Sequence, residues 1–303
     1  MADLTLNTAH RISWRHYLEL CKPKVVLLII FTAVVGMLLS TDGAVPLDIF
    51  IFGNLGIGLA AASGAAVNHW VDQRIDSLMD RTKNRPIPTG GLSSKAAIIF
   101  AISLGVLSMA ILVTQVNLLT ALLTLVSMIG YAVIYTMFLK RSTPHNIVLG
   151  GAAGAAPPVL GWAAVTGTVH TEALLLFMII FIWTPPHFWA LAIRRRDDYA
   201  KAGLPMLPVT HGISFTKVQI LLYTLMLLSV SLIPFVIDMT GKIYLAGALS
   251  LGLGFVYHAW RLYRSESDRH AMTTFAYSIF YLTALFAFLL LDHYARVFFR
   301  TLM

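Results

Sequence analysis

Asn68, Asp72, Asp76 and Asp80 recur at intervals of four in AAVNHWVDQRIDSLMDRTKNRPIPTGG, residues 65–91. On an α-helix, four residues amount to about 400° of rotation and roughly 6 Å of rise, so these side chains form one slowly drifting stripe. Carboxylates one turn apart repel unless something positive lies between them. A hard divalent cation does that: Mg²⁺ takes oxygen ligands and usually completes its shell with water and substrate phosphate. Arg81, Lys83 and Arg85 follow at once, beside Thr82 and Asn84. Acids can hold a metal while guanidiniums take the remaining oxygens of a diphosphate, bidentately where geometry allows. Spacing alone leaves three readings open. They are a solvated helix end whose acids pair with Arg74 and Arg81, an ion or proton path in a transporter, and a metal–diphosphate site.

A second charged stretch, WTPPHFWALAIRRRDDYAKAGLPMLPV (residues 183–209), holds His187, Arg194, Arg195, Arg196, Asp197, Asp198, Tyr199 and Lys201. Arg194 and Asp198 are spaced as an i,i+4 ion pair, as are Asp197 and Lys201, and such pairs contribute only a few tenths of a kcal/mol each. A triple arginine is also an ordinary membrane anchor. Yet the two stretches hold five of the chain's 14 acidic residues. A single cavity closed by both explains that concentration better than two unrelated helix ends.

The elements that must position these residues are apolar. Of 303 residues, 58% are hydrophobic and 12% charged, and the mean hydropathy is +0.77. Soluble domains carry about 25% charged residues. The apolar residues fall in nine runs, near 25–41, 47–68, 96–114, 118–138, 146–165, 172–192, 217–237, 243–260 and 272–292. Each approaches the ~20 residues that cross a bilayer core. The fold class expected is all-α, a polytopic membrane bundle of about nine transmembrane helices, forming one domain over residues 1–303.

The N-terminal segment 1–23 lacks the early apolar core and cleavage site of a signal peptide. His10–Lys24 reads instead as a short amphipathic helix at the interface. Cys21 is the only cysteine, so no intrachain disulfide forms. With no Arg/Ser-rich transit segment, a bacterial inner membrane is the simplest location. The net charge of +8 does not indicate nucleic acid. With the N-terminus inside, all Lys and Arg except Lys242, Arg296 and Arg300 fall on the inner side, so the surplus is the positive-inside bias. The N-terminus is therefore expected in the cytoplasm and the C-terminus outside.

The two charged loops follow spans two and six, so they share a face, and their Pro-rich exits suggest a weak internal repeat. Span five, IVLGGAAGAAPPVLGWAA, is rich in the small residues that let helices approach closely in lipid. Pro157-Pro158 there and Pro185-Pro186 in span six remove backbone donors at membrane depth, which is tolerated where protein or a water-filled cavity covers the freed carbonyls.

NHWVDQRIDSLMDRTKNRP resembles the N-x-x-x-D-x-x-x-D signature of the UbiA superfamily of intramembrane prenyltransferases. Its D-x-x-M-x-R-T-x-x-R-P form (Asp76, Met79, Arg81, Thr82, Arg85, Pro86) is similar to that of the heme O synthase branch. YTMFLKRSTPHNIVLGGAAGAAPPVLGW (residues 135–162) and the second charged stretch resemble two further blocks of that branch, and the likeness runs from about residue 14 to the end. Many superfamily members carry a second D-x-x-x-D ladder in the later loop; here the acids are the adjacent Asp197 and Asp198.

The resemblance implies a central cavity opening to the cytoplasmic side and transfer of a farnesyl group from farnesyl diphosphate to a vinyl group of heme B. Water is added, diphosphate leaves, and the heme O formed supplies terminal oxidases. It implies Mg²⁺ on Asn68, Asp72 and Asp76, with Asp198 as the second-cluster acid and Arg81 and Arg85 on the diphosphate. Asp197, Tyr199, Lys201 and Arg194 stand beside them as substrate-binding residues, and Asp80 is read as a salt-bridge partner rather than a fourth ligand. Lys140 and Arg141 suit the heme propionates. His187 is the first candidate for the iron ligand, then His145 and His211, while His170, His258 and His293 are read as structural. Expected partners are the lipid bilayer and other heme-pathway or oxidase-assembly proteins. Two other activities compete: prenyl transfer to an aromatic quinone precursor, and ion-coupled transport. A purely structural oxidase-assembly subunit is a third reading.

Overall fold

The computed structural model describes residues 13–302, and regular structure among the described residues is helical throughout. Every apolar run of the sequence becomes a span. The first is α2 (Pro23–Leu39), preceded by the short α1 (Trp14–Leu20), with a 50° bend between them. Next come α3 (Leu47–Asp76), α4 (Ser94–Gln115) and α5 (Leu118–Ile129). A wide-turn π-helix (Gly130–Leu139) and the single turn α6 (Lys140–Ser142) continue α5. The fifth span is α7 (Asn146–Ala155) with α8 (Pro157–Thr166), and the sixth is α9 (Thr171–Arg194). After the short α10 (Arg196–Lys201) and α11 (Leu207–Thr210), α12 (Gly212–Val236), α13 (Lys242–Arg264) and α14 (Ala271–Leu302) complete the bundle. Among the described residues, eight spans are each long and apolar enough to cross a membrane, and the bent α1–α2 pair, taken as one span, makes a ninth. The amphipathic segment expected over His10–Lys24 is realised in α1, whose Trp14 and Leu18 are exposed; His10 and Arg11 lie outside the described residues.

Local chemistry sets the boundaries. Pro23 stands at the first position of α2, where its missing N–H is harmless. Ser93 and Asn117 cap α4 and α5 by accepting the Ala96 and Thr120 amides at 3.2 and 2.8 Å. Gly167, at φ +69°, ends α8 in the left-handed region. The two proline pairs behave differently: Pro157-Pro158 divides span five at Ala156, whereas α9 runs unbroken through Pro185-Pro186.

Small residues allow the closest packing. A Cβ on Gly36 of α2 would strike the Pro158 carbonyl of α8, and one on Gly161 would strike the Ala33 carbonyl of α2. Trp183, Tyr244, Phe255, Tyr281 and Phe286 build the aromatic core between α9, α13 and α14. Leu27, Val106, Val126 and Phe138 face outward, as expected of a lipid-facing surface.

One tertiary cap holds the end of the bundle remote from residues 68–85. Asp292 of α14, 1% exposed, accepts the Gly241 amide at 2.5 Å and the Tyr244 amide at 3.1 Å, anchoring the start of α13. Asp292→Ala leaves two donors unsatisfied and is expected to cost about 2–3 kcal/mol. Thermal denaturation in detergent reads this, and an unchanged melting curve would contradict it.

Candidate active site

α3 runs to Asp76, past the end of its apolar run, so Asn68, Asp72 and Asp76 lie on continuous helix; all three are at most 5% exposed. Thr82 folds the following loop back by donating its hydroxyl to the Asp76 carbonyl at 3.0 Å. That return brings Arg85 onto the stripe, where its Nη1 meets Asp76 Oδ2 at 2.6 Å. Asp72 Oδ2 accepts two bonds, from Lys140 Nζ at 2.5 Å and from Asn68 Nδ2 at 2.7 Å. Arg141 stands 3.8 Å from Asp72 Oδ1, an oxygen that is buried and takes no hydrogen bond. Asn68 Oδ1 accepts from Lys22 Nζ at 2.5 Å. Buried charge survives only when paired and hydrogen-bonded. Four elements supply that pairing here: the α1–α2 elbow, α3, the 77–93 loop and α6.

The π-helix sets one wall. Its i→i+5 bonding widens the turn, and Thr136 donates to the Tyr131 carbonyl at 2.8 Å while lying 3.4 Å from Asn68 Nδ2. Tyr131 packs at Gly64 of α3 and Tyr135 at Gly150 of α7, with the two rings stacked 5.8 Å apart. Lys140 follows directly and reaches Asp72.

Lys140 and Arg141, read as heme-propionate partners, both stand on Asp72. The i,i+4 pairs Arg194–Asp198 and Asp197–Lys201 do not form. The helix breaks at Arg195, so the pairs are Arg195–Asp198 at 3.3 Å and Arg196–Asp197 at 3.2 Å. His187 lies between Trp183 and Phe275, 4.3 and 4.5 Å from their centroids, with Nδ1 2.6 Å from Ser278 Oγ. That is the seat of a packing residue against α14. His145 and His211 are exposed.

The two charged stretches do come together. Ile75 and Met79 share a packed cluster with Tyr199, Ala202, Leu204 and Met206. Arg194, Arg195, Asp197, Asp198, Lys201 and Met272 line a cavity of about 480 Å³. Arg81 is exposed. Burial pushes the Tyr199 phenol above its usual range, while Arg81 and Arg195 act in the opposite direction. Asp80 is exposed and bonds Lys83 at 2.8 Å. Lys83 holds its carboxyl below the usual carboxylate range, with Lys201 and Arg195 acting the same way. Asp80 is therefore a salt-bridge partner, and exposed pairs contribute little. Asp80→Asn is expected to leave turnover within about twofold of wild type; a steady-state assay showing a tenfold loss would place Asp80 among the ligands.

The donor chemistry fits a hard divalent cation: Asp72 Oδ1 is a buried, unbonded carboxylate oxygen, and the neighbouring donors are oxygens too. Among the described residues, no three His, Cys, Asp or Glu side chains converge as a metal-binding group. Asp198 therefore does not complete a ready-made set with Asp72 and Asp76, and a metal here would draw further ligands from water and phosphate. Sequence spacing missed Lys22, Thr136 and the two tyrosines. Lys22 carried a signal, as a lysine directly before the proline that starts the first span.

An intramembrane helical bundle with a buried, cation-lined carboxylate stripe at one end is the architecture of a membrane prenyltransferase. Residues 29–290 match the UbiA prenyltransferase family, and the chain belongs to that family. It is 68% identical over 297 residues to the protoheme IX farnesyltransferase of Thioalkalivibrio sulfidiphilus, covering 98% of each chain. It is 61% identical over 294 residues to that of Nitrosococcus oceani, covering 97% of this chain and 98% of the relative. Among solved structures, a UbiA homolog from Archaeoglobus fulgidus bound to GPP and Mg²⁺ superposes with a TM-score of 0.65 at 18% identity, over 90% of this chain and 99% of that one. A digeranylgeranylglyceryl phosphate synthase structure gives a TM-score of 0.79 at 16% identity, over 93% and 99%. At such identities the likeness is one of fold. The nine spans and the family make this a multi-pass membrane protein.

Proposed function

We propose that the protein transfers the farnesyl group of farnesyl diphosphate to a vinyl group of heme B, with addition of water, releasing diphosphate and forming heme O. The observation that carries prenyl transfer is the buried Asn68–Asp72–Asp76 stripe ringed by Lys22, Lys140, Arg141 and Arg85. The heme acceptor and the farnesyl donor rest on the name shared by relatives 68% and 61% identical.

Asp72, Asp76 and Asn68 would hold Mg²⁺, which supplies positive charge to the leaving diphosphate. Lys140, Arg141, Arg85 and Lys22 bind and orient the phosphate oxygens, a fixed electrostatic field of the kind that stabilises charge developing in a transition state. Arg81, Arg194 and Lys201 extend that field to the mouth, with Asp197, Asp198 and Tyr199 beside them. The apolar helices around the site keep bulk water from the allylic cation until the vinyl carbon has reacted. With His187 packed against α14, His145 and His211 are the remaining candidates for the iron. The site faces the cytoplasm of a bacterial inner membrane, as the positive-inside bias requires, and the whole chain works as one domain beside oxidase-assembly proteins.

Purified protein incubated with heme B, farnesyl diphosphate and Mg²⁺ is expected to yield a farnesylated, hydrated heme detectable by mass spectrometry and abolished by EDTA. Unchanged heme alongside prenylation of an aromatic quinone precursor would replace the acceptor. Failure to bind farnesyl diphosphate with or without Mg²⁺ would favour ion-coupled transport.

A further inference from the structure

Each of the three side chains proposed to hold the metal has an oxygen taken by a basic side chain. Lys140 Nζ sits 2.5 Å from Asp72 Oδ2, Arg85 Nη1 2.6 Å from Asp76 Oδ2, and Lys22 Nζ 2.5 Å from Asn68 Oδ1. The contacts are buried: side-chain exposure is 15% at Lys140, 14% at Arg85 and at most 4% at the two aspartates. A divalent cation reaching Asp72 must displace Lys140 or settle on Oδ1 with Lys140 and Arg141 close by, and either is costly for the metal alone. A diphosphate alone meets the converse problem, because Lys140 and Arg85, which should bind it, are engaged by carboxylates.

The elbow explains how Lys22 comes to lie beside Asn68. Lys22 has φ +49° and ψ +61°, one of two non-glycine residues in the left-handed region among those described. That conformation costs a residue other than glycine free energy and persists where the surrounding structure holds it. Here it turns the chain between α1 and α2 and puts Nζ on Asn68.

We propose that Lys140, Arg85 and Lys22, with Arg141 standing second at Asp72, exchange with the metal: Lys140, Arg141 and Arg85 are counter-ions of carboxylates, and Lys22 donates to the neutral carboxamide of Asn68. They occupy the metal-ligand oxygens and transfer to the diphosphate when metal and diphosphate arrive together. The carboxylates pass from ammonium and guanidinium to metal, Lys140 and Arg85 pass from carboxylate to phosphate and Lys22 from the Asn68 carboxamide, and both buried carboxylates keep a partner throughout. No covalent step is involved. This rests on the stripe being a metal–diphosphate site, and it adds that the two ligands bind with positive coupling created by the protein. Such coupling is reciprocal, so each ligand raises affinity for the other by the same factor.

The test uses Mn²⁺ and inorganic diphosphate as probes on full-length protein in nanodiscs, followed by electron paramagnetic resonance and calorimetry. Lys140→Gln is expected to bind Mn²⁺ alone about tenfold more tightly than wild type, and diphosphate in the presence of Mn²⁺ about tenfold more weakly. These opposite signs are the signature of exchange. Should Mn²⁺ affinity stay the same or fall together with diphosphate affinity, Lys140 is an ordinary structural partner and the proposal fails. Removing Lys140 strands a buried carboxylate, so Arg141→Gln supplies an arm that is safe for folding. Arg141 is 45% exposed and 3.8 Å from Asp72 Oδ1. Its replacement is expected to tighten Mn²⁺ alone about threefold, and no change would also overturn the exchange. Neither arm uses heme. Exchange without farnesylated heme would remove the acceptor and leave this inference standing, whereas no binding of either probe would remove both.

Discussion

Asp72→Asn is expected to lower turnover by about a thousandfold while the bundle remains folded. The wild-type carboxylate is 1% exposed, bonded to Lys140 and Asn68, with its second oxygen unbonded. Asparagine keeps the shape and removes the charge, so the loss falls on metal binding and on the field acting at the leaving group. Deleting one preorganised electrostatic contact typically costs a factor of about 10²–10³, and the metal's chemistry is compromised at the same stroke. Stability also falls, because Lys140 loses its anion; breaking a buried pair costs about 3–5 kcal/mol. Lys140 is 15% exposed and can turn to water, which places the cost at the lower end. Product analysis beside a circular-dichroism melt separates the two effects. A folded variant retaining more than a tenth of wild-type turnover would remove Asp72 from the reaction, and an assembly subunit with no chemistry would show no loss.

Gly161→Val should have the largest effect on stability. α2 and α8 approach backbone to backbone, and the contact is reciprocal: Gly36 receives the Pro158 carbonyl and Gly161 receives the Ala33 carbonyl. A flexible side chain could step aside, but these neighbours are main chain. Overpacking usually costs about 1–3 kcal/mol, and a β-branched residue against rigid backbone should exceed that range. In lipid the penalty is not softened by a hydrophobic driving force, because close van der Waals packing is itself what holds the helices together. Forcing α2 from α8 also shifts the elbow at the base of α2 and draws Lys22 away from Asn68. Loss of monodisperse protein, or a large fall in melting temperature, is the expected result. A variant that melts like wild type would mean that the two helices separate without cost.

The spans were legible because crossing a bilayer demands length and apolarity, both of which are local properties. The stripe was legible for a similar reason, since a four-residue period needs only a helix to become a face. What stayed hidden depended on contacts across the chain. Lys22 read as one more inner-face positive charge; only the elbow reveals its reach to a residue 46 positions away. The contact of Lys140 with Asp72, 68 positions away, was likewise invisible. The ion pairs of the second stretch were misread because the helix was taken to continue through Arg195, whereas it ends there and α10 starts anew. GYAVIYTMFL contains no proline or charged residue that would mark a wide turn, and His187 carries no local sign that its ring is enclosed by α14.

That wide turn also works as a phase setter. An α-helix advances by about 100° per residue, so the direction of every side chain beyond Leu139 depends on how many residues the 130–139 segment consumes per turn. Were the segment rewound as ordinary α-helix, the chemistry of Lys140 would be untouched but its bearing would change, and the ammonium would leave Asp72. The reactivity of one end of the molecule is thus tied to a residue count inside a stretch of plain hydrophobic sequence. A one-residue insertion or deletion there would be silent in composition, hydropathy and span length, yet it would retune the charged wall as a whole. In this protein, spacing within the lipid-facing helix carries information that the identities of its residues do not.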